Sequence, residues 1–187
     1  MTWNLDTAHS SVIVSARHMM ITTVRGTLKL ADATIDFDPE HPERSSVEAR
    51  IDAASIDTGV EQRDAHLRSP DFLDVQQFPH IVFRSTRIEP SGEAYVMDGD
   101  LTIRGVTRPV RMDAEITGVV ADWQGGERAA FSARTKIDRE DWGLSWNVAL
   151  EAGGWLVGRE FGVEIELAAL RAAGADTAES RQHETAA

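Results

Sequence analysis

Apolar and polar residues alternate along most of this chain, and that alternation predicts β-strands. From Ser11, positions Val12, Val14, Ala16, His18 and Met20 share one face. Ser11, Ser15 and Arg17 share the other, joined by Ile13 and Met19. The next run, Val24–Leu30, sets Val24, Gly26, Leu28 and Leu30 on one side. Thr34–Asp38 follows, then Val47–Ile56, where Val47, Ala49 and Ile51 alternate with Glu48, Arg50 and Asp52. Further runs at Ile81–Ile88, Ala94–Ile103, Val110–Val119, Ala129–Ile137 and Phe161–Leu170 bring the expectation to eight or nine strands, each roughly 5–10 residues long.

The interruptions carry turn chemistry. Asp38-Pro39-Glu40-His41-Pro42 cannot extend a ladder, and Pro90-Ser91-Gly92 separates two runs. Arg104-Gly105-Val106-Thr107 and Trp123-Gln124-Gly125-Gly126 read as hairpin connections. Glu61–Ser69 is different, because its residues tolerate a helix. Ser69-Pro70 then reads as the cap and first position of a second short helical turn, Asp71–Val75. Many strands, short turns and one polar face per strand predict an all-β antiparallel barrel or sandwich, with two short helices that suit a lid at one end.

Composition adds bounds. With 187 residues, of which 42% are hydrophobic, the chain suits one domain with a real core. From Arg171 onward the sequence is small and polar, so residues 1–170 are expected to fold and 171–187 to form a disordered tail. There is no cysteine, which excludes disulfides, thiolate metal sites and a cysteine nucleophile. The net charge of −12 and pI near 4.9 oppose binding to nucleic acid or to anionic lipid headgroups. MTWNLDTAHS shows neither the basic nor the apolar region of a secretory signal, and no window reaches the ~18 apolar residues of a membrane span. The expectation is a cytoplasmic protein without stable membrane insertion.

A series of motifs, in order, resembles the YceI-like family. They are Asp6–Met20, Val24–Leu28, Ser55–Gly59, Arg63–Val75 (RDAHLRSPDFLDV), Phe78–Phe83, Gly99–Val110 (GDLTIRGVTRPV), Asp138–Gly143 and Gly158–Glu166. The resemblance spans about Trp3–Ala169. It implies an eight-stranded antiparallel, lipocalin-like barrel with a short helical lid and an apolar lumen. It further implies a polyisoprenoid or isoprenoid-quinone-like ligand, and analogy with the family suggests a homodimer. Other family members are secreted, and this chain departs from them in showing no signal sequence.

Apolar inner faces interrupted by Ala16, Gly26, Ala49, Gly99, Ala114 and Ala133 leave room along a barrel axis. Periodicity alone leaves tunnel and packed core level; the resemblance favours the tunnel. The expected ligand-binding residues are His18 and Met20 on the first strand, and Arg63, His66 and Phe72 in the lid. Phe83, Met97, Met112 and Phe131 along the lumen and Trp142, Trp146 and Trp155 in the stretch before the last strand complete the set. His18 on an apolar face reads either as a core residue or as a hydrogen-bond donor to a head group. Arg63 reads either as the partner of Asp64, fixing the lid, or as a fork for an anionic head. The run Asp138, Glu140, Asp141 reads as a solvated turn.

No metal or cofactor is expected: the histidines lack ligand spacing, and a zinc site would require His9, His18, His66 and His80 to converge. No nucleophile elbow or phosphate loop is present. The reading is a carrier of an apolar molecule rather than an enzyme. Hiding several hundred Å² of hydrocarbon at ~25 cal/mol per Å² is worth on the order of 10 kcal/mol before entropic costs. Two alternatives stand. One is an enzyme acting on such a lipid through His18, Arg63, Asp64 and His66. The other is a structural or stress protein whose barrel is filled by Phe83, Phe131 and Met112.

Overall fold

The computed structural model describes residues 2–123 and 125–171. Nine strands and one α-helix follow the chain: β1 (Thr2–Leu5), β2 (Ser11–His18), β3 (Thr22–Asp36), β4 (Ser46–Asp57), α1 (Glu61–Arg68), β5 (His80–Ser91), β6 (Ala94–Ile103), β7 (Val106–Ala121), β8 (Glu127–Asp138) and β9 (Val157–Arg171). Every pairing is antiparallel. The order β3-β2-β9-β8-β7-β6-β5-β4 closes on itself through β3–β4, which gives an eight-stranded barrel with no free edge.

The first difference from the sequence pattern is β1, since that pattern showed no strand before Ser11. β1 pairs with β3 (Trp3↔Ile35) and with β9 (Leu5↔Ala169), in the same slot that β2 fills further along. β1 and β2 are therefore one broken stave, too short before the break to show a period. Asp6 holds the break. Its carboxylate accepts from the Ala8 N–H (3.1 Å), Nδ1 of His9 (2.8 Å) and Nη1 of Arg128 (2.5 Å), while its own N–H donates to the carbonyl of Ala168 (2.9 Å).

Several predicted runs are longer or fused. Val24–Leu30 and the first three residues of Thr34–Asp38 belong to one 15-residue strand that ends at Asp36, because Ala31 is an extra residue opposite the Ile51–Arg50 step and bends the strand without ending it. β7 reaches 16 residues and β9 15, since tilted staves of a closed barrel pair beyond their apolar centres. Arg171 belongs to β9; the expected tail beyond it lies outside the described residues. The second helical turn is absent. α1 ends at Arg68, Ser69 is its C-cap, and 70–78 runs as successive turns closed by the N–H groups of Phe72, Asp74, Gln77 and Phe78.

Two hydrophobic clusters fill the barrel unequally. Trp3, Ile35 and Phe37 plug one end, with the Trp3 indole donating to the Phe37 carbonyl (3.0 Å) and Phe37 edge-on to Phe131 (ring centroids 4.8 Å apart). The other end is bounded by the β2–β3 turn, α1, the β6–β7 turn and the β8–β9 connection. It is lined rather than filled.

The Asp6 carboxyl is held at about 2, below its ordinary 3.8, chiefly by the Arg128 guanidinium, with His9 adding and burial opposing. A depressed folded pKa stabilises above the unfolded value, and that contribution is lost as pH falls towards the folded one. Asp6→Asn is therefore expected to be less stable than wild type at neutral pH, with the gap closing as pH drops from about 4 to about 2. Denaturant titrations across that range check it; a gap unchanged at pH 2 would contradict the carboxylate's role.

Candidate ligand cavity

The inward positions of β2, β3 and β9 carry Val14, Ala16, Gly26 and Val163, and these small or slender side chains leave the axis open. The result is a cavity of about 700 Å³ at the α1 end of the barrel, within the ~300–1,000 Å³ of small-molecule sites. Its wall is apolar apart from a few polar groups gathered around α1 and the end of β2, among them His18, Thr58, Gln62, Arg63 and His66. A second space of about 130 Å³ lies towards the plugged end, beside Phe37, Met97 and Phe131. Val12, Ile51, Phe83 and Ile165 line both and form the waist between them. Phe83 can sit against the wall because Gly99 has no side chain; a Cβ there would come within 2.4 Å of its ring.

α1 is fastened as a wall of this cavity. Residues Ala53–Ile56 bulge away from β3 and have no β5 partner, so their carbonyls need donors. Arg68 supplies them, with Nε donating to the Ala54 carbonyl and Nη2 to that of Ile56 (both 2.9 Å). At the other end of α1, the buried Asp64 accepts from both the N–H and the hydroxyl of Thr58 (2.9 and 2.5 Å). Arg63 donates to the same threonine, through Nε to Oγ1 (2.7 Å) and Nη2 to the carbonyl (3.0 Å). The Arg63–Asp64 ion pair expected from sequence is replaced by this shared latch, since adjacent helical residues point to different sides.

Of the residues expected to meet a ligand, His18, Arg63, His66, Phe72, Phe83, Met112 and Trp146 line the large cavity, and Met97 and Phe131 line the small one. His66 lies edge-on between Phe72 (5.1 Å) and Trp146 (4.4 Å), while its Nε2 meets Asp71 Oδ2 (2.8 Å). Three expected residues line neither space. β2 ends at His18, so Met20 falls in the following turn and is exposed. Trp142 is buried in the wall, its indole donating to the Leu101 carbonyl (3.0 Å). Trp155 is 52% exposed on a small hairpin, where it bridges Ala149. The three tryptophans thus do not form one cluster.

The acidic run at 138–141 hides the residue that sequence reading missed. Asp138 and Glu140 are solvated and pair with Arg159, but Arg139 between them is fully buried. Its guanidinium donates to the carbonyls of Gly158 (3.0 Å), Leu144 and Trp146 (3.0 Å). It thereby pins the connection that carries Trp146 to the start of β9, and burial pulls its pKa down. Asn147 completes the clamp by bonding both backbone groups of Val157. No periodicity announces a charged residue turned inward at a strand end.

His18, Arg63 and His66 share the cavity, but Asp64 is turned into Thr58, and no hydrogen bond joins any two of the four. Among the described residues no group of His, Asp or Glu is placed to hold a metal. A closed eight-stranded antiparallel barrel with an apolar chamber and a few polar groups at one end is a lipocalin-like fold. The chain belongs to the YceI-like family, whose domain model matches residues 3–169. It is 38% identical to Protein YceI of Escherichia coli O157:H7 over 136 residues, 73% of this chain and 71% of that one. A UPF0312 protein of Photorhabdus laumondii is 39% identical over 133 residues, 71% of this chain and 69% of its own.

Among solved structures, the Campylobacter jejuni YceI protein superposes with a TM-score of 0.70 at 31% identity, covering 83% of this chain and 89% of its own. Two others share the fold at lower identity. Burkholderia cenocepacia BcnA gives a TM-score of 0.74 at 24% identity, covering 88% of this chain and 99% of its own. A polyisoprenoid-binding domain from Saccharophagus degradans, implicated in plant cell wall breakdown, gives 0.63 at 12%, covering 90% and 97%.

Arg139→Met keeps the bulk of the side chain but strands three carbonyls, and is expected to cost about 3 kcal/mol of stability. Urea unfolding measures this; a loss below about 1 kcal/mol would show that the carbonyls find other donors.

Proposed function

We propose that this protein binds and carries a long apolar molecule, of polyisoprenoid or isoprenoid-quinone type, with the chain in the large chamber and the head at the α1 end. The observation that carries the reading is a 700 Å³ apolar chamber in a barrel whose opposite end is plugged. A filled barrel would have no such space. Family membership and the fold shared with a polyisoprenoid-binding domain support the chemical class. Burial of the chain supplies most of the affinity, and one polar contact at the mouth sets orientation.

Arg63 is the head-group contact. Thr58 occupies its Nε and Nη2, and Nη1 makes no protein hydrogen bond among the described residues. A guanidinium fixed on one side and open on the other suits a phosphate or diphosphate. His18 and His66 are the further donors facing the same space. The role is binding, with no reaction assigned.

Native mass spectrometry after mixing with a long-chain polyprenol and its monophosphate tests this. One lipid per protein is expected from each. Val163→Trp, which fills the chamber, should abolish both adducts without lowering the melting temperature. Arg63→Met should weaken the phosphate by roughly tenfold or more while leaving the alcohol unchanged. Failure of the wild-type protein to take up either lipid would overturn the reading.

A further inference from the structure

Apolar side chains are exposed where the large cavity reaches the barrel end, and they are not scattered. Nine large hydrophobic residues are exposed among the described ones. Six of them sit at this end: Met19, Met20, Ile21, Val60, Val148 and Trp155. Met19, Met20 and Ile21 form the β2–β3 turn, directly after the cavity-lining His18. Ile21 is 74% exposed and Met20 58%. The turn and the 148–156 hairpin are joined. The Met19 N–H donates to the Leu156 carbonyl (2.8 Å), and the Met20 side chain lies over Gly154, 3.3 Å from where a Cβ would be. Leu156, Val157 and Val60 themselves line the cavity. The exposed patch is therefore the rim of the chamber.

The turn is built against local preference. Ile21 N–H bonds the His18 carbonyl (3.2 Å), closing a two-residue turn in which Met19 has φ +50° and Met20 φ +65°. Asn and Gly adopt that left-handed backbone readily; methionine does not. Two flexible, unbranched apolar side chains are thus held at the tip of the barrel at a cost in both backbone strain and solvation. By contrast α1, the other side of the mouth, is fastened to β4 by Arg68, Thr58 and Asp64 and cannot serve as a swinging door without breaking those bonds.

We propose that this rim docks on the surface of a lipid bilayer with uncharged or zwitterionic headgroups, so that an apolar chain passes between membrane and chamber without crossing water. The inference rests on the carrier reading, since a prenyl chain has no appreciable aqueous phase to travel through. Charge selects the occupant. The arginines of the rim are engaged within the protein: Arg17 donates to the Ile21 carbonyl (3.2 Å), Arg63 to Thr58, and Arg68 to the Ala54 and Ile56 carbonyls and to Glu61, while Glu151 lies exposed nearby. With a net charge of −12, anionic headgroups repel the protein, and so does a second copy of the chain. A zwitterionic surface does neither, and it accepts Met, Ile and Trp side chains at shallow depth.

The test uses the full chain with phosphatidylcholine vesicles, in flotation and in transfer of a fluorescent polyprenol from donor to acceptor vesicles. Wild type should float with the vesicles, and its transfer rate should rise with acceptor vesicle concentration. Met19→Asn combined with Ile21→Ser should lose vesicle association by roughly tenfold or more. Asn suits the left-handed backbone at position 19, so the variant should keep its melting temperature. It should also keep uptake of detergent-solubilised polyprenol, which separates failure of docking from failure of the carrier reading. Wild type that binds only vesicles containing anionic lipid would overturn the proposal. Transfer that ignores vesicle concentration would do so as well, as would a dimer that the same double substitution dissociates.

Discussion

A closed eight-stranded barrel has a girth set by its strand number and tilt, and the space inside depends on how far its inward side chains reach. Everything distinctive in this protein follows from an uneven use of that space. At one end Trp3, Phe37 and Phe131 meet across the axis and close it. At the other, Ala16, Gly26 and Val163 stop short. Closure of the sheet makes this economical: with no edge to protect and every stave paired on both sides, the ladder carries the fold while the core stays partly empty.

An open chamber needs support that a filled core would supply itself. Here that support is polar and peripheral. Arg68 satisfies carbonyls where β4 bulges out of the sheet, Thr58 binds Asp64 and Arg63 at the start of α1, and Arg139 gathers three carbonyls behind Trp146. Each fixes a piece of the chamber wall by answering a backbone group that the barrel geometry leaves unpaired. The cavity is thus preformed, and a ligand entering it has little protein ordering to offset.

The strands were legible in the sequence because period-2 alternation survives in any sheet with one wet face, as in Val110–Val119 against Arg111, Asp113 and Glu115. Their ends and interruptions were not. The gap between the runs Val24–Leu30 and Thr34–Asp38 is a bulge at Ala31, whereas Asp6–Ser10 divides a stave whose first part is too short to show a period. For the cavity, inward parity placed Phe83 and Met112 on its wall, yet the same parity carried Met20 beyond the end of β2 into a turn. Trp142 and Trp146, four residues apart, part company because one binds Leu101 and the other meets His66. That depends on contacts between distant segments, and local pattern does not encode them. Arg139 was invisible for the same reason.

The central claim is that the chamber beside α1 receives an apolar chain. Its most direct test is the set of intermolecular nuclear Overhauser effects between a long-chain polyprenol and methyl-labelled protein. The account predicts contacts from prenyl methyls to Val14, Val163, Leu101 and Met112 inside the chamber, with the polar end near Arg63. Contacts confined to exposed methyls, with those four unchanged from the free protein, would contradict it.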